Sequence, residues 1–354
     1  MTSTKPNRAK EWLEILRKTS NSVVVFTTGM AGCSIAHALA INGVKISCFA
    51  DNSEEKIGKK IDLGIVVAET LSFNDLLAYY SDAYVVIPPH RYIKDIKKQF
   101  LKVGYDEKKL ISIDFNVLVY THDIEKCENA FYLLADSRSR SIFHERLDFL
   151  NTGDVKHLGK TCDPDTMYFD SEILIFADDE IVIDGGGGAS GSTFLKLMNR
   201  TKAFKRYLFC EPDPGNMHMA KTNLSQYGNI EFVPKALWSK CDVLCFSATA
   251  TTVSHLKTGV ADYKNQVEVT SIDELLGGQR CTFIKMDVEG AEMEALRGAV
   301  ETISKYKPKL AICAYHKPGD FIDIPLLINE TNSDYAIYLR HYSADRYNTV
   351  CYAV

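Results

Sequence analysis

Short apolar runs alternate along the chain with longer stretches whose apolar positions recur at helical spacing, and the alternation occurs in two blocks. After a helix-like stretch from Glu11 to Lys18, the run SVVVFTTGMAGCSIAHALAINGVKISCFADN predicts a strand, a turn, an amphipathic helix, an Asn42-Gly43 turn and a strand ending in Asp51. Tyr84–Ile87 reads as a strand stopped by Pro88-Pro89, Tyr92–Val103 as a helix and Leu110–Ile113 as a strand. Residues 20–115 thus form one small α/β unit. Residues 116–165 change character and read as a mostly helical connection. From Tyr168 onward the alternation resumes, with buried strands at Ile181–Ile183, Tyr207–Cys210, Phe283–Met286 and Leu310–Cys313. The last stretch, YAIYLRHYSADRYNTVCYAV, reads as two strands around the polar turn Ser343–Asn348, an antiparallel hairpin. The fold class expected is α/β with two doubly wound domains, divided as 1–115, 116–165 and 166–354.

Composition narrows the function classes. The 354 residues, 46% hydrophobic and 25% charged with a net charge of −5, describe an ordinary globular protein long enough for two cores. The charge gives no basic field for nucleic acid. No apolar run approaches a membrane span, and the start, MTSTKPNRAKEW, has no apolar signal core. Ten cysteines are scattered without a zinc-type CxxC pair, Cys241 and Cys245 being the nearest approach, so free thiols and a cytoplasmic location are expected.

The chemistry gathers at strand ends. EIVIDGGGGASGST, residues 180–193, is an apolar strand ending in Asp184 and breaking into glycines before a helix, the way a doubly wound sheet builds a nucleotide pocket. Glu211 ends the next predicted strand, 27 residues on (211 − 184), about one βαβ unit. A carboxylate there can accept both hydroxyls of a ribose, and spacing alone leaves a helix-capping acid equally open. In CTFIKMDVEGAEMEALRGA, Asp287 stands at a strand tip, and Lys285 is a charge inside an apolar strand, unusual for a covered sheet. Glu289 and Glu292 read equally as solvated or helix-N-terminal acids. Tyr315, His316 and Asp320 follow the strand Leu310–Cys313. The N-terminal unit carries a weaker version of the same pattern, with Gly29 and Gly32 in a T-x-G-x-x-G turn. Thr27 replaces its first glycine, and Asp51 lies 22 residues after Gly29 (51 − 29).

The runs VIDGGGGASGST, YLFCEPDPGNMHMAKTNL, VEVTSIDELL, FIKMDVEGAEMEALRGA and LAICAYHKPGDFIDIPLLI resemble the FkbM family of S-adenosylmethionine-dependent methyltransferases. The Tyr168-Phe169 pair and the closing hairpin add to the likeness, which covers about residues 165–354 and is most specific in IKMDVEGAE. The resemblance implies a class I methyltransferase sheet of seven strands. It implies S-adenosyl-L-methionine lying across Asp184, Gly185, Gly186 and Gly188, with its ribose on Glu211 beside Pro212. It implies O-methylation of a small-molecule or carbohydrate acceptor, in particular a sugar hydroxyl in polysaccharide or glycoconjugate biosynthesis. Ser190 departs from the family, which usually has glycine there, so the turn is expected to be reshaped with donor binding kept.

Methyl transfer from a sulfonium needs alignment and removal of the acceptor's proton. His316 is the expected base, with Asp287 positioning donor or acceptor and standing as second candidate base. No metal is expected: a set of Asp287, Glu289 and His316 is disfavoured because Glu289 should point away along the turn. The polar run SATATTVSHLKTG, with His255, reads as an exposed loop rather than an acceptor site. The N-terminal turn resembles Rossmann-like domains of sugar-modifying proteins. Thr27 favours an auxiliary module over a nucleotide site. The alternative function is an NAD-linked oxidoreductase or epimerase acting on a nucleotide sugar through that domain. No nucleic-acid partner and no membrane span are expected, and homo-oligomerisation is left open.

Overall fold

The computed structural model describes residues 8–88, 92–114, 117–118, 123–159, 161–245 and 266–354, so SATATTVSHLKTG and His255 lie outside the described residues. The N-terminal strands are β1 (Val23–Phe26), β2 (Cys48–Ala50), β3 (Lys60–Asp62), β4 (Val67–Leu71), β5 (Tyr84–Val86) and β6 (Leu110–Ile111). They form one sheet in the order β3-β4-β2-β1-β5-β6, parallel except for the β3–β4 pair. All four residues of β1 are buried. Val24 and Phe26 pack into one apolar cluster and Val23 and Val25 into another, as a strand covered on both faces requires. The β3–β4 pair was not expected. Lys60-Ile61-Asp62 is short and mostly exposed, so it carries no apolar signal.

The C-terminal strands are β7 (Ile181–Gly185), β8 (Arg206–Cys210), β9 (Ile230–Val233), β10 (Ala236–Leu237), β11 (Asp242–Cys245), β12 (Gln266–Thr270), β13 (Phe283–Met286), β14 (Lys309–Cys313), β15 (Ile337–His341) and β16 (Thr349–Ala353). Seven of them form a sheet ordered β15-β16-β14-β13-β7-β8-β9, and β10-β12-β11 make a small separate one. The expected closing hairpin is present: β15 and β16 pair antiparallel, and β16 lies antiparallel on β14. From β7 the chain runs outward through β8 to β9, then returns to place β13 on the other side of β7. That reversal opens a crevice above the carboxyl ends of β7 and β13, the usual position for a ligand in such sheets.

The helical stretch covers a sheet edge. Asp136 caps the helix Ser137–Thr152 through the Ser139 N–H (2.7 Å) and pairs with Arg340 of β15 (2.7 Å). The Ser139 hydroxyl accepts the Leu339 N–H (2.9 Å), and Leu134 bridges to Ile337. An edge strand with unpaired backbone groups is thereby closed off. Buried residues of this helix share one apolar cluster with the leading helix (Arg8–Lys18) and one face of each large sheet.

Candidate active site

The glycine loop is held from below by the lysine that looked misplaced. Lys285 and Asp184 are register partners across β13 and β7, so their side chains stand on the same face. The Lys285 ammonium pairs with Asp184 Oδ1 (3.0 Å) and donates to the carbonyls of Gly185 (3.0 Å) and Gly186 (2.8 Å). Two carbonyl hydrogen bonds and one ion pair surround the ammonium, which is how a charge only 2% exposed is tolerated. Burial pulls its pKa down, but Asp184 and Asp287 outweigh that and hold it above the ordinary lysine value. Asp184 Oδ2 accepts the Tyr207 hydroxyl (2.7 Å), so one oxygen of this carboxylate is hydrogen-bonded and the other ion-paired beneath the loop. Gly186 has φ +69°, and a Cβ there would stand 1.9 Å from the Asp287 carbonyl oxygen. Gly188 has φ +65° and faces open space.

At the tip of β8, Glu211 accepts the Gly188 N–H (2.9 Å) and the Asp213 N–H (2.9 Å). Asp213 in turn caps the helix Pro214–Asn223 through the Asn216 N–H (2.7 Å), with Pro214 at its first position. Glu211 therefore answers both readings of its sequence position: it orders the turn, and each oxygen keeps lone-pair capacity for further donors.

At the tip of β13, Asp287 accepts the hydroxyls of Tyr168 (2.8 Å) and Tyr315 (3.0 Å). Burial pushes its pKa up, but Lys285, His316 and the Tyr168 hydrogen bond prevail and hold it below the ordinary aspartate value. His316 Nε2 lies 3.5 Å from Asp287 and 3.6 Å from Glu289, and Nδ1 lies 2.8 Å from Glu292. Burial lowers the His316 pKa, yet the Glu292, Asp287 and Glu289 carboxylates carry it above the ordinary histidine value. Glu289 does not point away along its turn as expected. With φ +54° it brings its carboxylate back to the imidazole. Asp287, Glu292 and His316 bring ligand-type atoms within 4.8 Å of one another, a grouping with the size for a cation.

A cavity of about 530 Å³ joins these parts. Gly186, Gly188, Glu211 and Pro212 line one side, and Asp287, Glu289 and Lys317 the other. Of the residues expected from sequence, Asp184 and Gly185 lie beneath this cleft and His316 behind Asp287 and Glu289. Sequence reasoning missed the Leu237 and Trp238 wall, brought over the cleft by β10. It also missed both tyrosine hydroxyls on Asp287. Tyr315 was read only as following the strand Leu310–Cys313, and Tyr168 only as part of the Tyr168-Phe169 pair.

In the N-terminal turn, Asp51 is already occupied. It accepts the Thr28 N–H (2.8 Å), the Thr28 hydroxyl (2.8 Å) and the Ser53 N–H (3.0 Å), and pairs with Lys56 (3.3 Å). Thr27 sits at φ +100°.

A reversing parallel sheet with a terminal antiparallel hairpin and a glycine-loop cleft is the arrangement expected of a methyltransferase fold of the α/β type. Residues 186–343 match the family model described as the methyltransferase FkbM domain. The C-terminal part of this chain is therefore an FkbM methyltransferase domain, and the protein is an enzyme using S-adenosyl-L-methionine. Residues 19–111 match a model described as C2185-like, N-terminal, which does not bear out a Rossmann-like domain there. Among solved structures, the crystal structure of methyltransferase FkbM from Methylobacillus flagellatus KT is similar in fold. It is 22% identical, with 99% of this chain and 94% of that one covered and a TM-score of 0.65. Fibrillarin from Aeropyrum pernix, solved with bound S-adenosyl-L-methionine, matches at 11% identity over 50% of this chain and 67% of that one, with a TM-score of 0.33. No curated protein matches the chain. Among the described residues, no helix is long and apolar enough to cross a membrane.

Proposed function

We propose that the protein O-methylates a sugar hydroxyl in polysaccharide or glycoconjugate biosynthesis, with His316 as the base and Asp287 as the group that positions donor or acceptor. The observation that carries this reading is the shared cleft: a glycine loop and Glu211 on one side, two carboxylates backed by His316 on the other. The residues present fit the donor. Gly188 leaves room where a Cβ would stand, Glu211 keeps acceptor capacity for ribose hydroxyls, and Leu237 and Val288 offer apolar wall for a base. Gly186 and Pro212 complete that side, and Asp184 and Gly185 act from below through Lys285. When bound, S-adenosylmethionine supplies a methyl group on a sulfonium, a leaving group that needs no acid.

The protein's own work is then to hold the acceptor hydroxyl in line and take its proton. Asp287, held below the ordinary aspartate pKa, is a weak base but a firm acceptor that orients a hydroxyl. His316, held above the ordinary histidine pKa, is the stronger proton acceptor once neutral. Trp238 on the cleft wall offers a flat apolar face of the kind a sugar ring packs against. The division at 1–115, 116–165 and 166–354 belongs to the same reading, supported by one large sheet at each end. So does a cytoplasmic location, supported by nine free cysteines among the described residues.

The test compares cell-envelope carbohydrates by mass spectrometry with and without the protein, and then with His316→Ala. Loss of one methyl on a sugar is expected in both, with turnover of His316→Ala lowered by about 10²–10⁴-fold. Unchanged sugars would overturn the acceptor class, and full turnover of His316→Ala would overturn the base. This reading requires no metal. Turnover that stops on chelation and returns with a divalent cation would overturn that part.

A further inference from the structure

Glu292 and His316 each carry a buried polar atom without a hydrogen-bond partner, Oε2 of the one and Nδ1 of the other. Their side chains are only 1% and 8% exposed. Nδ1 lies 2.8 Å from Glu292 Oε1, yet the two form no hydrogen bond. Buried polar atoms are nearly always paired, so two unpaired ones on adjoining side chains call for a physical reason. Together with Asp287, these residues bring an imidazole nitrogen and two carboxylate oxygens within 4.8 Å of one another.

We propose that Asp287, Glu292 and His316 form a binding site for a divalent cation of the zinc type, and that a cation held there blocks methyl transfer by occupying the His316 lone pair. The site rests on geometry alone, and its effect on turnover rests on the reading of His316 as the base. The ligand atoms are held as a metal site requires. Asp287 accepts the Tyr168 and Tyr315 hydroxyls (2.8 and 3.0 Å), and Glu292 Oε1 accepts the Val288 N–H (2.9 Å). Such outer hydrogen bonds fix the direction of a ligating carboxylate. Glu292 Oε2 is left wholly unspent. Two atoms bound to one zinc ion at about 2.0–2.2 Å and roughly a right angle stand about 3 Å apart. The 2.8 Å between Nδ1 and Glu292 Oε1 is close to that spacing.

The donor set selects the ion. An imidazole among carboxylates suits zinc, whereas magnesium and calcium take oxygen ligands. Three carboxylates, Asp287, Glu289 and Glu292, face the imidazole, against Lys317 on the same side of the cleft. Glu289, 91% exposed and 3.6 Å from Nε2, gives an ion a way in from water. A neutral imidazole has one lone pair, whichever nitrogen carries it. An ion bound through that pair leaves an N–H on the other nitrogen. The ring then has nothing with which to take the proton of an acceptor hydroxyl. Ion and proton compete for one electron pair, and no bond of the methyl donor is involved.

The test is a calorimetric titration of the chelator-treated, full-length protein with zinc, beside Glu292→Gln and His316→Ala. Binding is expected in the parent, weakened about tenfold or more in each variant, and magnesium in excess should not displace it. X-ray absorption at the zinc edge of the parent protein needs no variant, and should show a nitrogen and oxygen shell containing an imidazole. Sulfur in that shell, which would put the zinc on cysteines, overturns the site. So do variants that bind zinc as tightly as the parent. Turnover is then read as release of S-adenosylhomocysteine, with envelope carbohydrate from cells lacking the protein as acceptor. Zinc should lower it and a chelator should restore it. Turnover that is unchanged or raised at full zinc occupancy overturns the blocking role. These failures differ from failure of the base reading, which shows as full turnover of His316→Ala without zinc.

Discussion

The two glycine turns of this chain share a plan and differ in what their residues have left to offer. Each follows a buried parallel strand, opens a helix and has an acid at the tip of the neighbouring strand. In the N-terminal turn, Asp51 is spent on its own surroundings, accepting three hydrogen bonds and pairing with Lys56. The helix there also runs close against the strand end, so that a Cβ on Gly32 would stand 2.0 Å from the Thr27 carbonyl oxygen. In the C-terminal loop the internal duties fall to other groups. Lys285 and Asp184 hold the loop from below, and Glu211 accepts only two backbone donors and faces a cleft. A strand, glycine turn and acid are thus shared scaffolding. What separates a site from a turn is whether the acid keeps unspent acceptor capacity beside open space.

The largest effect should come from the support beneath the C-terminal loop. Lys285→Met keeps the volume but leaves Asp184 buried without its cation and two carbonyls without a donor. A destabilisation of about 3–5 kcal/mol is expected, read by denaturant unfolding. Lys56→Met, the corresponding change beside Asp51, removes a lysine that is 44% exposed. It should cost about 0–1 kcal/mol. Equal losses would mean that the two turns are held alike and would break the contrast.

Local pattern made the strand ends legible, and with them Asp184, Glu211, Asp287 and His316, because three buried runs each stop at an acid and the fourth, Leu310–Cys313, is followed three residues on by His316. The closing hairpin was legible for the same reason. The partners of these residues were not. Lys285 stood out as a charge in an apolar strand, but only the β13–β7 register, across 101 residues (285 − 184), shows that Asp184 is its counter-ion. Tyr168 reaches Asp287 from 119 residues away, and no spacing rule links them. Glu292 looked like a helix-N-terminal acid, and its place on that helix hides its contact with His316. The β3–β4 pair and the small β10-β12-β11 sheet were missed because β3 and β10 are only three and two residues long, and β4 and β12 are partly exposed and carry polar residues instead of a continuous apolar run.

Donor affinity should separate the two acids next. Glu211→Ala removes a carboxylate able to accept two ribose hydroxyls, each such bond to a charged group contributing about 1.5–3 kcal/mol. Binding of S-adenosylhomocysteine should weaken by roughly 10²-fold or more, read by calorimetry. Asp51→Asn should leave that affinity within about twofold, and NAD should show no binding that Asp51→Asn abolishes. Dinucleotide binding that depends on Asp51 would move the N-terminal turn into the class of sites and revive the oxidoreductase reading.

The smallest effects belong to the glycines themselves. Gly188 sits at φ +65° with open space where a side chain would project. Alanine there meets no clash, but it adopts a left-handed backbone at a cost of about 1–2 kcal/mol and fills room the donor would use. A loss of stability of that size is expected, with S-adenosylhomocysteine affinity down about tenfold. Gly29 also faces open space, but its φ of −74° is ordinary for any residue. Alanine at Gly29 loses some N-cap preference and gains by restricting the unfolded chain, two terms each of about 0.5–1 kcal/mol that oppose one another. Gly29→Ala should therefore fall within about 0.5 kcal/mol of the parent and leave donor affinity unchanged. If Gly188→Ala instead kept full affinity with only the stability loss, the space beside Gly188 would be incidental. The contrast between the turns would then rest on Glu211 and Lys285 alone.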